Sequence, residues 1–277
     1  MIEIGKINTL LIERTTTVGL YLSDEMNTEV LLPKKYILPE HVVGEHIDVF
    51  IYKDSEDRLI ATTEKPFCEV NQFAHLNVSE VTRVGAFLDW GLEKDLLVPY
   101  KEQKREMHEG YSYVVYVYLD ELSNRIVASS KVNKFISNEI LSIEQGQEVD
   151  LLVYDETQLG YNCIINSQHK GLIYHNDVYQ EIQIGNQLKG YVKEIRPGNL
   201  IDLSLQKIGF KHVLSSTDVI LKYLQEHDGF APFNDKTGPQ VILDKFNMSK
   251  ATFKKSIGIL YRHRKITLGE DGIRLVG

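Results

Sequence analysis

The sequence predicts a mainly β protein in which three small closed barrels of five strands precede a small α/β domain. The stretch at residues 81–100, VTRVGAFLDWGLEKDLLVPY, recurs in weaker form around Gly19 and Gly160. A second glycine follows each anchor glycine 25 residues later, at Gly44, Gly110 and Gly185. Apolar and polar residues alternate up to about residue 210, after which apolar residues recur nearly every fourth position. A sandwich remains the alternative for a single unit, but the threefold repeat favours barrels.

The composition is that of a globular protein, because 43% of the 277 residues are hydrophobic and 25% are charged. No apolar run is long enough to span a membrane, and the N-terminus lacks the order of a signal peptide. We therefore expect a cytoplasmic protein without a membrane partner. Cys68 and Cys163 are too few for a disulfide framework and are predicted to be reduced, buried thiols.

Charge is distributed unevenly along the chain. The formal net charge is −8, yet residues 211–277 contain 11 Lys and Arg against 7 Asp and Glu. The C-terminal part therefore carries +4 and the preceding residues carry −12. A chain that is basic throughout is excluded, whereas a basic C-terminal domain able to contact phosphates is not.

The repeated units are predicted to span residues 1–64, 65–133 and 134–210, each with five short strands. In the second strand of the first unit, Val18, Leu20 and Leu22 fall on one side and Tyr21 on the other. In the second unit, Val84, Ala86, Leu88 and Trp90 are expected in the core and Phe87 on the outside. This alternation is typical of half-buried strands.

Residues 211–277 are predicted to form three helices and a hairpin, which is the order of a winged-helix domain. The first helix is expected to be capped near Ser215 and to end at Gly229. Pro239 is expected at the first position of the second helix, and Ser249 is expected to cap the third. The hairpin turns at the residues G-E-D-G.

The motif V-T-R-V-G-A-F-L-D-W, followed by L-L-V-P-Y and later by R-I-V-A-S-S-K, resembles the S1 RNA-binding domain. Three such units with a C-terminal winged helix are similar to the conserved virulence factor B family of bacterial RNA-binding regulators, over the whole chain. The resemblance implies three tandem five-stranded OB-fold (S1-type) barrels, single-stranded RNA as the partner, and regulation of gene expression at the RNA level. Association with mRNA or the ribosome would follow from that role.

Outward aromatic rings on the barrels are candidates for stacking RNA bases. The family motif places an RNA-facing ring at Tyr21 and Phe87, whereas the third unit has Asn162 there. A second column, six residues beyond the second glycine, contains Phe50, Tyr116 and Tyr191. Each ring is either a stacking platform or a β-former packed against a neighbouring domain. Where S1 domains often carry a histidine, the three units have Pro33, Pro99 and Tyr174, the last followed by His175.

The third unit and the winged helix are predicted to form the main RNA-binding surface. The third unit contributes Tyr174, His175, Tyr191, Lys193 and Arg196. The winged helix contributes Lys250, Lys254, Lys255, Arg262, His263, Arg264, Lys265 and Arg274. The first two units are expected to be more structural, and the pairs Asp54–Arg58 and Asp120–Arg125 are turn ion pairs or RNA contacts. A solvated helix face is the alternative for the basic cluster.

No enzyme motif competes with a binding role, since the sequence has no Walker loop, G-x-S-x-G or H-E-x-x-H. We expect no catalytic residue, metal or cofactor. Two alternatives remain: a DNA-binding transcription regulator that uses the winged helix, and a protein-binding scaffold.

Overall fold

The computed structural model describes residues 1–54, 56–178, 181–206 and 210–276, with only the backbone for residues 210–215. The chain divides into two compact units, Met1–Ser137 and Asn138–Gly277. The first unit contains two barrels. The second contains a third barrel and the C-terminal domain.

The three barrels have the same strand order. The first consists of β1 Ile7–Thr15, β2 Gly19–Ser23, β3 Glu29–Pro33, β4 His46–Lys53 and β5 Leu59–Thr62. The second consists of β6 Phe73–Val81, β7 Gly85–Asp89, β8 Leu96–Pro99, β9 Ser112–Asp120 and β10 Arg125–Ser129. The third consists of β11 Glu148–Glu156, β12 Gly160–Ile165, β13 His169–Tyr174, β14 Gln187–Arg196 and β15 Leu200–Ser204. In each barrel the fifth strand lies between the third and fourth, and the sheet closes. The predicted fold class is confirmed.

The repeated glycines serve two different purposes. A Cβ at Gly19, Gly85 or Gly160 would lie 2.1, 2.2 or 2.0 Å from a backbone carbonyl oxygen of the neighbouring third strand. The second glycines, Gly44, Gly110 and Gly185, have φ angles of 93°, 78° and 92°, and Gly44 and Gly110 have open space around them. The anchors therefore allow two strands to approach closely, and the second glycines permit a backbone turn that other residues disfavour.

The predicted alternation is correct inside the strands and wrong one residue before them. Leu20, Leu22, Ala86 and Leu88 are buried in the barrel cores, as expected. Val18 and Val84, however, are 55% and 58% exposed. Both precede an anchor glycine in a turn, closed by hydrogen bonds from the amides of Thr16 and Thr82 to the carbonyls of Gly19 and Gly85. The period of two begins only with the strand.

The two barrels of the first unit share buried side chains. Phe50 and Tyr52 of β4 belong to the same apolar cluster as Trp90, which follows β7. The rings of Phe50 and Trp90 meet edge to face with centroids 5.6 Å apart. Phe50 is 1% exposed, so its outward position on the first barrel is covered by the second.

The C-terminal domain has the predicted winged-helix order. Its elements are α1 Phe210–Glu226, β16 Phe230–Ala231, α2 Pro239–Phe246, α3 Lys250–Arg262, β17 Ile266–Leu268 and β18 Ile273–Leu275. Pro239 is the first residue of α2, and the Ser249 hydroxyl accepts a hydrogen bond from the amide of Thr252 at 3.1 Å. The predicted start of α1 is wrong, because Ser216 and Thr217 are buried within the helix instead of capping it. The short strand β16, which pairs with β18, was not predicted.

Candidate nucleic-acid interface

The outward side of the second and third strands has the same register in all three barrels. Tyr21 lies opposite Leu31, Phe87 opposite Leu97, and Asn162 opposite Leu172. All six side chains are half-buried. The first two barrels therefore present an aromatic ring on this face and the third an amide, as the sequence predicts.

The ring of the first barrel is covered by a cation. The Arg14 guanidinium lies 4.2 Å from the centre of the Tyr21 ring and forms a two-pronged ion pair with Glu29. The corresponding residues opposite Phe87 and Asn162 are Glu80 and Asp155, which are acidic. A base that stacks on the face of Tyr21 covered by Arg14 would have to replace a cation–π contact.

A cleft of about 390 Å³ lies beside Phe87. Its apolar wall contains Leu97 and Val127 of the second barrel together with Trp90. The first barrel contributes Tyr52 and Lys53 to the lining. Phe87 thus borders a concave surface.

Two cations at this cleft, Lys94 and Arg125, are held by fixed partners. The Lys94 ammonium donates to the carbonyl oxygens of Lys53 and Asp54 at 3.0 and 2.8 Å, and partial burial lowers the pKa of Lys94. Arg125 pairs with Asp57 of the first barrel, whose pKa is lowered by the hydrogen bond from the Arg125 guanidinium. The predicted pair Asp120–Arg125 is therefore wrong, whereas Asp54–Arg58 is confirmed at 2.7 Å.

Two rings of the predicted second column pack against other aromatic side chains. Phe50 is buried against Trp90, as described above. Tyr116 stacks on Phe135 with centroids 4.1 Å apart and also contacts Phe73 at 4.7 Å. The half-buried Tyr116 ring therefore has protein on its face, because the chain leaving the second barrel folds back over it. Its assignment to RNA binding stays a prediction.

In the third barrel, the candidate residues form local polar networks. Arg196 pairs with Asp202 at 3.0 Å, and the Tyr174 hydroxyl donates to the same carboxylate at 3.4 Å. Tyr191 donates to Glu148 at 2.7 Å, and Lys193 pairs with Asp177. The exposed His175 ring contacts the edge of Tyr161, which the sequence reasoning did not single out. Hydrogen bonds and ion pairs within the third barrel therefore fix the positions of Tyr174, Tyr191, Lys193 and Arg196.

The basic residues of the winged helix are exposed on and beyond α3. Lys254, Lys255, Arg262, Arg264 and Lys265 are all exposed, and Lys250 is half-buried. Lys254 lies 3.9 Å from Asp235, and Arg274 pairs with Asp271. None of Lys255, Arg262, Arg264 and Lys265 makes an ion pair with a residue that the structure describes. This surface, which we call the α3 basic surface, carries uncompensated positive charge.

Residues 4–64 and 72–131 match the S1 domain family, and residues 218–275 match the CvfB-like winged helix domain. The chain therefore has the S1 domains and the CvfB-like winged helix domain that the resemblance to the conserved virulence factor B family predicts. The predicted resemblance is thereby confirmed, and the first two barrels are S1 domains.

Similar proteins align with most of the chain. The uncharacterized protein YitL of Bacillus subtilis is 27% identical over 272 residues, covering 95% of this chain and 90% of that protein. Conserved virulence factor B of Staphylococcus saprophyticus is 24% identical, covering 84% and 80%. A solved multidomain protein with nucleic acid binding domains from Streptococcus pneumoniae is 24% identical, covering 99% and 98%, with a TM-score of 0.42.

The α3 basic surface also contains a residue that sequence reasoning missed. Tyr261 is 54% exposed on α3, seven positions after Lys254, so both point to the same side of the helix. That spacing was readable from the sequence once the helix was placed. Within the described residues, no group of His, Cys, Asp and Glu is arranged to hold a metal ion. No described helix is long and apolar enough to cross a membrane.

Proposed function

We propose that this chain is a non-catalytic RNA-binding protein that regulates gene expression after transcription. In this proposal, the third barrel and the winged helix bind single-stranded RNA. The observation that carries it is the α3 basic surface, in which Lys255, Arg262, Arg264 and Lys265 are exposed and make no ion pair with a described residue. Contacts between these charges and phosphates favour binding because they release counterions from the nucleic acid. Few internal ion pairs have to be broken before the contacts form.

The third barrel would add groups with fixed geometry. Tyr174 and Tyr191 carry rings, and Lys193 and Arg196 carry cations held beside them by Asp177 and Asp202. Rings that stack on bases and cations along the backbone path are what single-stranded RNA requires. The S1 identity of the first two barrels supports RNA as the nucleic acid, and the same order of strands in the third barrel supports its inclusion.

The second candidate function is binding of duplex DNA. It is favoured because α3 presents Lys254, Lys255 and Arg262 on an exposed surface of a winged helix. Fluorescence anisotropy of the full chain with labelled single-stranded RNA and with duplex DNA, at several salt concentrations, decides between them. We expect tighter binding of the RNA at every salt concentration. Tighter binding of the duplex would overturn the proposal in favour of the second candidate.

A further inference from the structure

Gly258 lies inside α3 at a position where folding does not require a glycine. Its backbone is part of the regular helix Lys250–Arg262. A Cβ at this position would have no described heavy atom within 4 Å outside the backbone of its own helix. Alanine would therefore fit without strain, and alanine is the more stable residue in a helix interior.

The other glycines with open space around them have a structural reason to be glycine. Positive φ angles, which favour glycine, occur at Gly44, Gly110, Gly146 and Gly198. Gly238 is the N-cap of α2, a position where glycine costs little. Gly258 has neither reason. Its bare backbone is available to a ligand that approaches the helix closely.

The residues three and four positions from Gly258 surround it on the exposed side of α3. Lys254 and Tyr261 lie on one side of Gly258, and Lys255 and Arg262 lie on the other, because each residue turns the helix by about 100°. All four side chains are exposed. Helical side chains lean toward the N-terminus, so Tyr261 and Arg262 lean over the turn that contains Gly258. The Arg262 Nε donates to the Gly258 carbonyl at 3.3 Å. A ring and three cations therefore border the bare backbone.

The charge and the ring together define the kind of ligand. Lys254 lies 3.9 Å from Asp235, whereas Lys255 and Arg262 make no ion pair with a residue that the structure describes. A phosphate beside Gly258 would meet these cations, and a flat base would stack on the exposed Tyr261 ring. An apolar peptide would leave the cations without partners. Stacking on a side chain requires an unstacked base, which a single strand offers and a duplex does not.

We propose that Gly258 and Tyr261 form a base-binding site for single-stranded RNA on α3. One base stacks on the Tyr261 ring and lies against the helix backbone at Gly258, while Lys255 and Arg262 contact the adjacent phosphates. This inference rests on the proposed RNA binding and deepens it, because cations alone hold only the backbone of the strand. The site predicts that a methyl group at Gly258 stabilises the helix and weakens RNA binding.

The test measures Gly258→Ala in the full chain by differential scanning calorimetry and by fluorescence anisotropy with a labelled single-stranded RNA. The midpoint of the transition that unfolds the C-terminal domain should rise by about 4–8 °C, since alanine favours the helix. The affinity for RNA should fall by about 5-fold or more, because the base loses its close contact. Gly258→Leu, with a larger side chain of similar helix propensity, should weaken binding further.

Two further comparisons isolate the site. Tyr261→Ala should weaken RNA binding by about 5- to 150-fold, the range for loss of one stacked base, and Tyr261→Phe should retain most of the affinity. Gly238→Ala is the matched control, because it adds the same methyl group to another glycine of the domain that has open space around it, outside α3. Its RNA affinity should equal that of the unmodified chain.

Unchanged RNA affinity in Gly258→Ala and Tyr261→Ala would overturn the base-binding site and leave the proposed function standing. Equal losses of affinity in Gly258→Ala and Gly238→Ala would also overturn the site. A lower unfolding midpoint in Gly258→Ala would show that packing requires the glycine, which contradicts the argument. A fall in duplex DNA affinity as large as the fall in RNA affinity would overturn the assignment to an unstacked base. Absence of RNA binding by the unmodified chain would overturn the proposed function itself.

Discussion

Asp57 of the first barrel accepts both hydrogen bonds of the Arg125 guanidinium of the second, at 2.8 Å from Nε and 2.5 Å from Nη2. The pair lies at the rim of a junction whose centre is Phe50 packed against Trp90. Both charged side chains are largely exposed, so solvent screens their attraction. The buried ring pair should therefore contribute more to the stability of the first unit than the ion pair.

Phe50→Ala should lower the free energy of unfolding of the first unit by about 3–5 kcal/mol, because it removes a fully buried aromatic side chain. Urea unfolding followed by Trp90 emission measures this. Phe67→Ala is the matched control, since Phe67 is 67% exposed and its loss should change the midpoint little. Equal effects of the two substitutions would contradict the packing described at the junction.

The two kinds of repeated glycine should respond differently to alanine. Gly110→Ala should cost about 1–2 kcal/mol, the penalty for a left-handed backbone at φ 78° with open space around it. Gly85→Ala should cost clearly more, because its Cβ would lie 2.2 Å from the Val98 carbonyl oxygen. Thermal unfolding of the two variants compares them directly. A smaller effect at Gly85 would mean that β7 and β8 can move apart without a loss of stability.

Replacing Lys254 and Lys255 by Ala should weaken RNA binding and reduce the slope of log affinity against log salt by about 1.4, since each phosphate contact on a single strand adds about 0.7. Anisotropy titrations at four or five salt concentrations measure the slope. Lys222→Ala is the control, because Lys222 is an exposed lysine of α1 paired with Glu226 in the same domain. An unchanged slope would remove α3 from the binding surface.

Tyr191→Ala should weaken RNA binding, whereas Tyr191→Phe should retain most of it. Phenylalanine keeps the ring for stacking and loses only the hydroxyl that donates to Glu148. Circular dichroism of both variants verifies that the third barrel stays folded. If both variants bind RNA as tightly as the unmodified chain does, the ring has only a structural role.

Both cysteines should be unreactive in the folded protein. Burial raises the pKa of the Cys68 and Cys163 thiols to about 12, so the reactive thiolate is scarce at neutral pH. Ellman's reagent at pH 8 should label neither thiol in buffer and both in denaturant. Rapid labelling of the native chain would show that one of the two cores opens readily.

The fold was predictable where it depends on local pattern. The anchor glycines, the period-two alternation after them, the start of α2 at Pro239 and the cap of α3 at Ser249 each involve residues close together in the chain. The prediction was wrong where the alternation does not show at which residue a strand begins, as at Val84 before β7. The start of α1 is of the same kind, because Ser216 resembles a cap and lies inside the helix.

The partners of outward side chains were not predictable. Arg125 was assigned to Asp120, five residues away, and pairs instead with Asp57, 68 residues away. Tyr116 has the alternation of an outward ring, yet Phe135 stacks on it. A strand pattern specifies which side of a sheet a residue occupies but not what covers that side.

The sequence by itself determined that this chain forms three five-stranded barrels and a winged helix, because periodicity and glycine positions constrain the backbone directly. It also indicated the α3 basic surface, since a helix places Lys254, Lys255 and Arg262 by spacing alone. Only the tertiary structure decided that Phe87 borders a cleft while Tyr21 lies under Arg14 and Phe50 against Trp90. The physical reason is that these surroundings come from segments distant in the chain, whose approach depends on how the strands and barrels pack.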